Sequence, residues 1–108
     1  MRQIYVVDAN QVVTSESHPE GLYSTVTGYP IRRDSRDYER DEANPNGNPA
    51  LALIVAQADY ADAVKALSVS HNRAAWAVTL TRADGVQIAS KSYGAFPDMT
   101  VVGGGEGE

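Results

Sequence analysis

Residues 74–93, AAWAVTLTRADGVQIASKSY, alternate between apolar and polar side chains, and this pattern predicts two antiparallel strands joined by a turn. Two turn types compete for the ADG segment at residues 83–85. A two-residue loop would pair Leu80 with Ala89, whereas a three-residue loop would pair Leu80 with Ile88. Only the three-residue loop collects the apolar side chains on one face, so we predict that loop.

The three-residue loop also assigns each side chain to a face of the hairpin. It predicts a type I turn followed by Gly85 at positive φ in a bulge. The face predicted to be buried carries Trp76, Val78, Leu80, Val86 and Ile88. The opposite face carries Ala75, Ala77, Thr79, Thr81, Gln87, Ala89, Lys91 and Tyr93. No side chain on either face indicates catalysis, so we interpret the hairpin as scaffold.

The N-terminal segment predicts a second hairpin and a further strand. Residues 3–7 (QIYVV) and 11–15 (QVVTS) are rich in β-branched side chains, and DAN at residues 8–10 is a turn-favouring cluster. Residues 22–27 (LYSTVT) have the Tyr, Val and Thr content of a strand. The Gly-Tyr-Pro sequence at residues 28–30 ends that strand.

Residues 50–67 (ALALIVAQADYADAVKAL) permit two interpretations. With Asn48 as N-cap and a proline after it, one helix could run throughout. Alternatively, LALIV at residues 51–55 forms a strand, and a helix capped by Asp59 begins at Tyr60. The apolar stripe of that helix comprises Tyr60, Val64 and Leu67. We favour the strand followed by a helix over residues 60–67.

Together these elements predict an α+β fold. We expect a small antiparallel sheet of four to six strands, with hairpins at residues 3–15 and 74–93, covered on one face by one packed α-helix. Residues 1–102 form a single domain, and the GGGEGE sequence at residues 103–108 is a flexible acidic tail. A chain of 108 residues buries about 65% of its unfolded surface, which suffices for one core.

Composition excludes several classes of function. The absence of cysteine excludes disulfides, thiol catalysis and thiolate metal sites. A net charge of -5 disfavours nucleic-acid binding. No apolar run approaches the roughly 18 residues of a membrane span, and the N-terminus lacks the features of a signal peptide. We therefore expect a soluble cytoplasmic protein, or a virion-associated one if a phage encodes it.

A charged segment follows the predicted third strand. In RRDSRDYERDE, residues 32–42, nine of eleven residues are charged, and turn-forming Asn, Pro and Gly follow. We predict a long exposed loop over residues 32–49, in which Asp34 caps a short helix over residues 35–41. Such a helix would align every fourth residue, namely Arg32, Arg36 and Arg40. A salt-bridged, solvated segment and a partner-binding loop are the two interpretations of this run.

The candidate partner-binding residues are arginines and aromatic side chains in loops, which are common at the centres of protein interfaces. They are Arg32, Arg33, Arg36, Tyr38, Arg40, Tyr29 and Phe96. Tyr29 and Phe96 could equally seal the ends of the core.

No catalytic, cofactor or metal site is predicted. Residues 42–48 imitate a calcium-binding loop, but Leu53 stands where a bidentate glutamate is needed. The C-terminal glycines precede no helix that could bind phosphate. His18 and His71 lack a recognisable acid–base arrangement.

We therefore expect a non-enzymatic interaction or structural module, such as an accessory subunit of a larger, for example phage-derived, assembly. Its partner would be another protein, and its oligomeric state is left open. The alternative is a small-molecule-binding domain or weak hydrolase. That function would use a pocket between the sheet and the charged loop, with Arg36, Tyr38 and His71 in it.

Overall fold

The computed structural model describes residues 1–69 and 75–94, in which one α-helix packs on a five-stranded antiparallel sheet. The elements are β1 (Ile4–Val13), β2 (Leu22–Thr25), β3 (Ile31–Asp34), a 3-10 helix (Ser35–Asp37), α1 (Pro49–Ser68), β4 (Ala75–Arg82) and β5 (Gln87–Tyr93). The sheet order is β2-β1-β4-β5, and β3 also pairs with β1. The predicted α+β fold with one packed helix is confirmed.

β1 is the central strand, because it pairs along one side with β4 and along the other with β2 and β3. Its registers include Val7 opposite Leu80 and Ala9 opposite Val78. The predicted turn at residues 8–10 is therefore wrong, and the strand runs straight through it. Ala9 and Asn10 are both buried within the sheet, so long-range pairing on two sides outweighs the local turn propensity. Two pairs of strands that follow each other in the sequence also pair with each other in the sheet, β1 with β2 and β4 with β5.

α1 is one continuous helix, so the predicted strand at residues 51–55 is wrong. The Oδ1 atom of Asn48 accepts a hydrogen bond from the backbone N of Leu51 at 3.1 Å, which is the N-cap contact of the one-helix alternative. The face turned to the sheet is formed mostly by small side chains: Ala52, Ala56, Ala63 and Leu67. The predicted stripe is confirmed, since Leu67 is buried and Tyr60 and Val64 pack against the core.

The core lies between α1 and one face of the sheet. It comprises the α1 face together with side chains of the two central strands, Tyr5, Val7, Ala9, Trp76, Val78 and Leu80. Alternation along β1 and β4 directs these side chains to one side, and the alanines of α1 allow the helix to approach them closely.

The turn of the β4–β5 hairpin is the predicted three-residue loop. The backbone N of Gly85 donates to the carbonyl oxygen of Arg82, and the N of Arg82 donates to that of Val86, both at 2.9 Å. Gly85 has φ 92°. Beyond the turn the prediction fails, because a bulge shifts the register and Leu80 pairs with Ala89 instead of Ile88.

The bulge explains which side chains of the hairpin are buried. Trp76, Val78 and Leu80 are buried as predicted, but Val86 and Ile88 are 46% and 37% exposed, contrary to the prediction. The extra residue moves a different set of β5 side chains, Ala89, Lys91 and Tyr93, opposite the buried residues of β4. The register beyond the bulge is therefore the one that the rejected two-residue loop implied.

Several predictions concern residues 70–74 and 95–108. His71, Phe96 and the tail at residues 103–108 lie outside the described residues. None of the helices in the described ranges combines the length and the hydropathy that a membrane span requires.

Candidate functional site

The charged loop, residues 32–49, is built from short ordered pieces. Its first residues belong to β3, and the helix predicted over residues 35–41 is only the three-residue 3-10 helix Ser35–Asp37. Asp34 does cap it as predicted, because its Oδ1 atom accepts a hydrogen bond from the backbone N of Arg36 at 2.9 Å. Beyond the 3-10 helix the backbone leaves the helical region, and Glu39 has φ 57°.

Ser35 fixes the loop to the start of β1. The residue is fully buried, and its Oγ atom accepts a hydrogen bond from the backbone N of Gln3 at 2.9 Å. The same hydroxyl donates to the carbonyl oxygen of Asn46 at 2.7 Å, and the backbone N of Ser35 donates to that of Gln3 at 2.8 Å. One buried serine therefore connects β1 with both limbs of the loop.

Gly47 allows the second limb to lie against Ser35. Gly47 has φ 73°, and a Cβ atom built on it would overlap the carbonyl oxygen of Ser35. The next residue, Asn48, donates its backbone N to the carbonyl oxygens of Ser35 and Tyr38 at 3.1 and 2.9 Å. Both the backbone conformation and the close approach therefore require glycine at position 47.

Two acidic side chains of the loop, those of Asp34 and Glu39, accept hydrogen bonds from other residues of the chain. The guanidinium of Arg2 contacts the carboxylate of Asp34, with Nη2 to Oδ2 at 2.6 Å. This hydrogen bond, with a second from the backbone of Arg36, lowers the pKa of Asp34. In the second limb, the Oε1 atom of Glu39 accepts a hydrogen bond from the Nδ2 atom of Asn48 at 2.8 Å. Such contacts hold the loop in one conformation.

Arg33 connects the loop to α1. Its Nε atom lies 2.6 Å from Oδ2 of Asp59, and its Nη2 atom lies 3.1 Å from Oδ1. The hydrogen bond to Asp59 raises the pKa of Arg33, and Tyr38 contributes in the same direction. Asp59 is thus not the predicted helix cap but a mid-helix partner of β3. Two parallel N–H···O bonds fix the orientation of both side chains.

The two tyrosines of the candidate set, Tyr29 and Tyr38, are half-buried and pack against the core. Burial raises the pKa of Tyr29, and the carboxylates of Asp59 and Asp62 raise it further. Both tyrosines therefore pack near the contact between Arg33 and α1.

The remaining candidates, Arg32, Arg36 and Arg40, form no salt bridge within the described residues. Arg32 and Arg40 are exposed and Arg36 is half-buried. The predicted helical alignment of the three is wrong, because Arg32 lies in β3, Arg36 lies in the 3-10 helix, and Arg40 lies in irregular backbone after it. Arg32 follows Ile31 and precedes Arg33 in a strand, so it points to the sheet face opposite Arg33.

A shallow depression of about 260 Å³ lies at the second limb of the loop. It is lined by Glu39, Asn44, Gly47, Asn48 and Pro49. It therefore lies between the loop and the start of α1, not between the loop and the sheet. Within the part of the chain that the structure describes, no group of three or more His, Asp or Glu side chains could hold a metal ion.

Sequence reasoning missed Ser35 as a structural residue, although a signal was present. Ser35 and Tyr38 are the two uncharged residues of the run at residues 32–42. They are also the residues that turn inward, with Ser35 buried and Tyr38 packed on the core. The uncharged positions in a charged segment therefore marked the side that faces the protein.

We predict that Gly47→Ala destabilises the protein more than Gly85→Ala. Both residues have positive φ, which costs about 1 kcal/mol for alanine. A Cβ at Gly85 meets no atom within 4 Å, whereas one at Gly47 overlaps Ser35, so overpacking brings the total to about 2 to 4 kcal/mol. Unfolding in guanidinium chloride measures the free energy of unfolding of both variants. Equal losses of that free energy would contradict the close approach of Gly47 to Ser35.

We also predict that Asp59→Asn lowers the free energy of unfolding by about 1 to 3 kcal/mol, because it leaves the half-buried Arg33 without its anionic partner. Asp62→Asn is the matched control on the same helix. Asp62 is exposed, so its substitution should change stability by less than about 0.5 kcal/mol. If the two variants unfold at the same denaturant concentration, the ion pair does not stabilise the fold.

Comparison with known proteins adds no information on function. Protein-family models, curated proteins and solved structures yield no match to this chain. Its function is therefore inferred from the geometry of the charged loop.

Proposed function

We propose that the protein is a non-enzymatic interaction module that binds another protein through the charged loop, as an accessory subunit of a larger assembly does. The proposal rests on the availability of three guanidinium groups, those of Arg32, Arg36 and Arg40. They lack a salt bridge among the described residues, while Arg2, Arg33 and Arg82 each have one. The loop that bears them is fixed by the buried Ser35.

A fixed loop favours binding for an entropic reason. Ordering a mobile side chain at an interface costs about 0.5 to 1.5 kcal/mol, and ordering a mobile backbone adds to that cost. The hydrogen bonds of Ser35 and Asn48 already restrict the backbone that carries Arg36 and Arg40. Arginine is also well suited to the centre of an interface, since its planar guanidinium binds carboxylates through two hydrogen bonds.

The charges around the arginines indicate what kind of surface the loop fits. Asp37, Asp41 and Glu42 are exposed beside them, so the loop presents both signs of charge within a short distance. A polyanion such as nucleic acid would be repelled by these carboxylates and by the net charge of -5. A folded protein surface with its own mixture of charges fits better, because complementary pairs then favour one orientation.

The small-molecule alternative has weaker support. It rests on the depression of about 260 Å³ at the second limb. Ligand pockets are commonly about 300 to 1,000 Å³ and mostly apolar, whereas this one is lined largely by polar groups, two of which, Glu39 and Asn48, hydrogen-bond each other. Neither Arg36 nor Tyr38 lines it, and His71 lies outside the described residues.

The test is a pull-down from native lysate with the triple variant R32A/R36A/R40A. We expect it to recover the partner at least about tenfold less well than the unmodified protein, which corresponds to about 1.4 kcal/mol of binding free energy. The control K65A/R73A/R82A removes the same number of positive charges elsewhere and should bind normally. Side-chain variants are preferable to replacing residues 32–48, because that replacement would also remove Ser35 and Gly47.

Two results would contradict the proposal. One is that no protein is recovered by the unmodified chain. The other is that the triple variant and its charge-matched control lose the partner to the same extent, since net charge and not the loop would then determine binding. Comparing R32A with R36A/R40A separates the contribution of β3 from that of the 3-10 helix and the irregular segment after it.

A further inference from the structure

β5 (Gln87–Tyr93) lies at an open edge of the sheet. Its inner side pairs with β4 from Tyr93 opposite Trp76 to Gln87 opposite Thr81. Among residues 1–69 and 75–94, no strand pairs with its outer side. Six of its seven residues are exposed, with Ala89 the exception. The free N–H and C=O groups of such an edge pair readily with another strand.

The other edge of the sheet is constructed differently. It is divided between β2 and β3, which have four residues each. Residues 26–30, including Pro30, interrupt the line between them, and β3 carries two arginines and an aspartate. Short strands, proline and charge are features that prevent pairing with another strand. The two edges therefore differ in their capacity to accept a partner strand.

β5 has few of these protective features. Lys91 is its only charged residue, and its one irregularity is the bulge near Gln87. Two apolar side chains of the strand are exposed, Ile88 at 37% and Tyr93 at 62%, and Val86, the residue before the strand, is 46% exposed. A seven-residue exposed edge that carries apolar side chains can therefore accept another strand.

The sequence of β5 is compatible with antiparallel pairing to itself. Because Ser90 is the midpoint of the strand, a two-fold axis through it gives the longest antiparallel overlap of β5 with itself, interrupted at the bulge of Ile88. It places Ser90 opposite Ser90 and Lys91 opposite Ala89 of the second copy. No like charges then face each other, whereas a register centred on Lys91 would oppose two ammonium groups.

We infer that the protein forms a symmetric dimer in which β5 of one chain pairs antiparallel with β5 of a second copy. The two sheets join into one continuous sheet, and the same patch serves both chains, as a two-fold interface requires. The inference is independent of the proposed partner binding. β3 and the charged loop lie at the edge of the sheet opposite β5. The dimer therefore carries its two charged loops at its far ends, and it binds bivalently.

The test uses Ser90, whose side chain is exposed in the single chain and faces its own copy in the dimer. Sedimentation of the unmodified protein at micromolar concentration should give twice the mass of one chain. Ser90→Lys and Ser90→Asp should each weaken the dimer by up to about fivefold, because like charges then meet on the axis. Mixing the two variants should restore a dimer containing one copy of each.

The matched control is Thr25→Lys, an exposed residue of β2 at the opposite edge, which should leave the dimer intact. The inference is overturned if the unmodified protein sediments as a single chain, or if Ser90→Lys dimerises with the same dissociation constant as the unmodified protein. Its failure is distinguishable from failure of the proposed function. R32A/R36A/R40A should still dimerise, and the Ser90 variants should still bind the partner, with only the gain from bivalency lost.

Discussion

The close approach of Gly47 to the backbone of Ser35 is the constraint on which the charged loop depends. It places the second limb of the loop where Ser35 donates a hydrogen bond to Asn46 and accepts one from Asn48. The N-cap of α1, Asn48, is therefore positioned by the same contact that closes the loop. A side chain at Gly47 would separate the loop from the start of the helix.

Much of the fold was predictable because it depends on local patterns. The alternation in β4, the three-residue turn at Gly85 and the apolar stripe through Leu67 all emerge from neighbouring residues. The continuous β1 was not predictable in this way, because pairing with three other strands overrides the turn propensity of residues 8–10. The prediction of a strand at the start of α1 is wrong because the apolar run there has the length and composition of a strand. The sheet-facing residues of α1 are nevertheless mostly alanines at helical spacing.

The candidate site was predictable only as far as composition determines it. A segment with nine charges in eleven residues must expose most of them, and Arg32 and Arg40 are exposed. The pairing of Arg33 with Asp59 joins residues 26 positions apart and depends on how α1 lies over β3. The burial of Ser35 likewise requires β1 and both limbs of the loop. Such long-range contacts determine which arginines form salt bridges within the described part of the chain and which can bind a partner.

We infer that the charged loop has a fixed structure before any partner binds. Amide hydrogen exchange tests it most directly at Ser35, Tyr38 and Asn48, whose backbone N–H groups donate within the loop and to β1. We expect these three amides to be protected to an extent comparable with the amides of the central strands β1 and β4. Exchange at the rate of an unstructured chain, with β1 and β4 still protected, would contradict it.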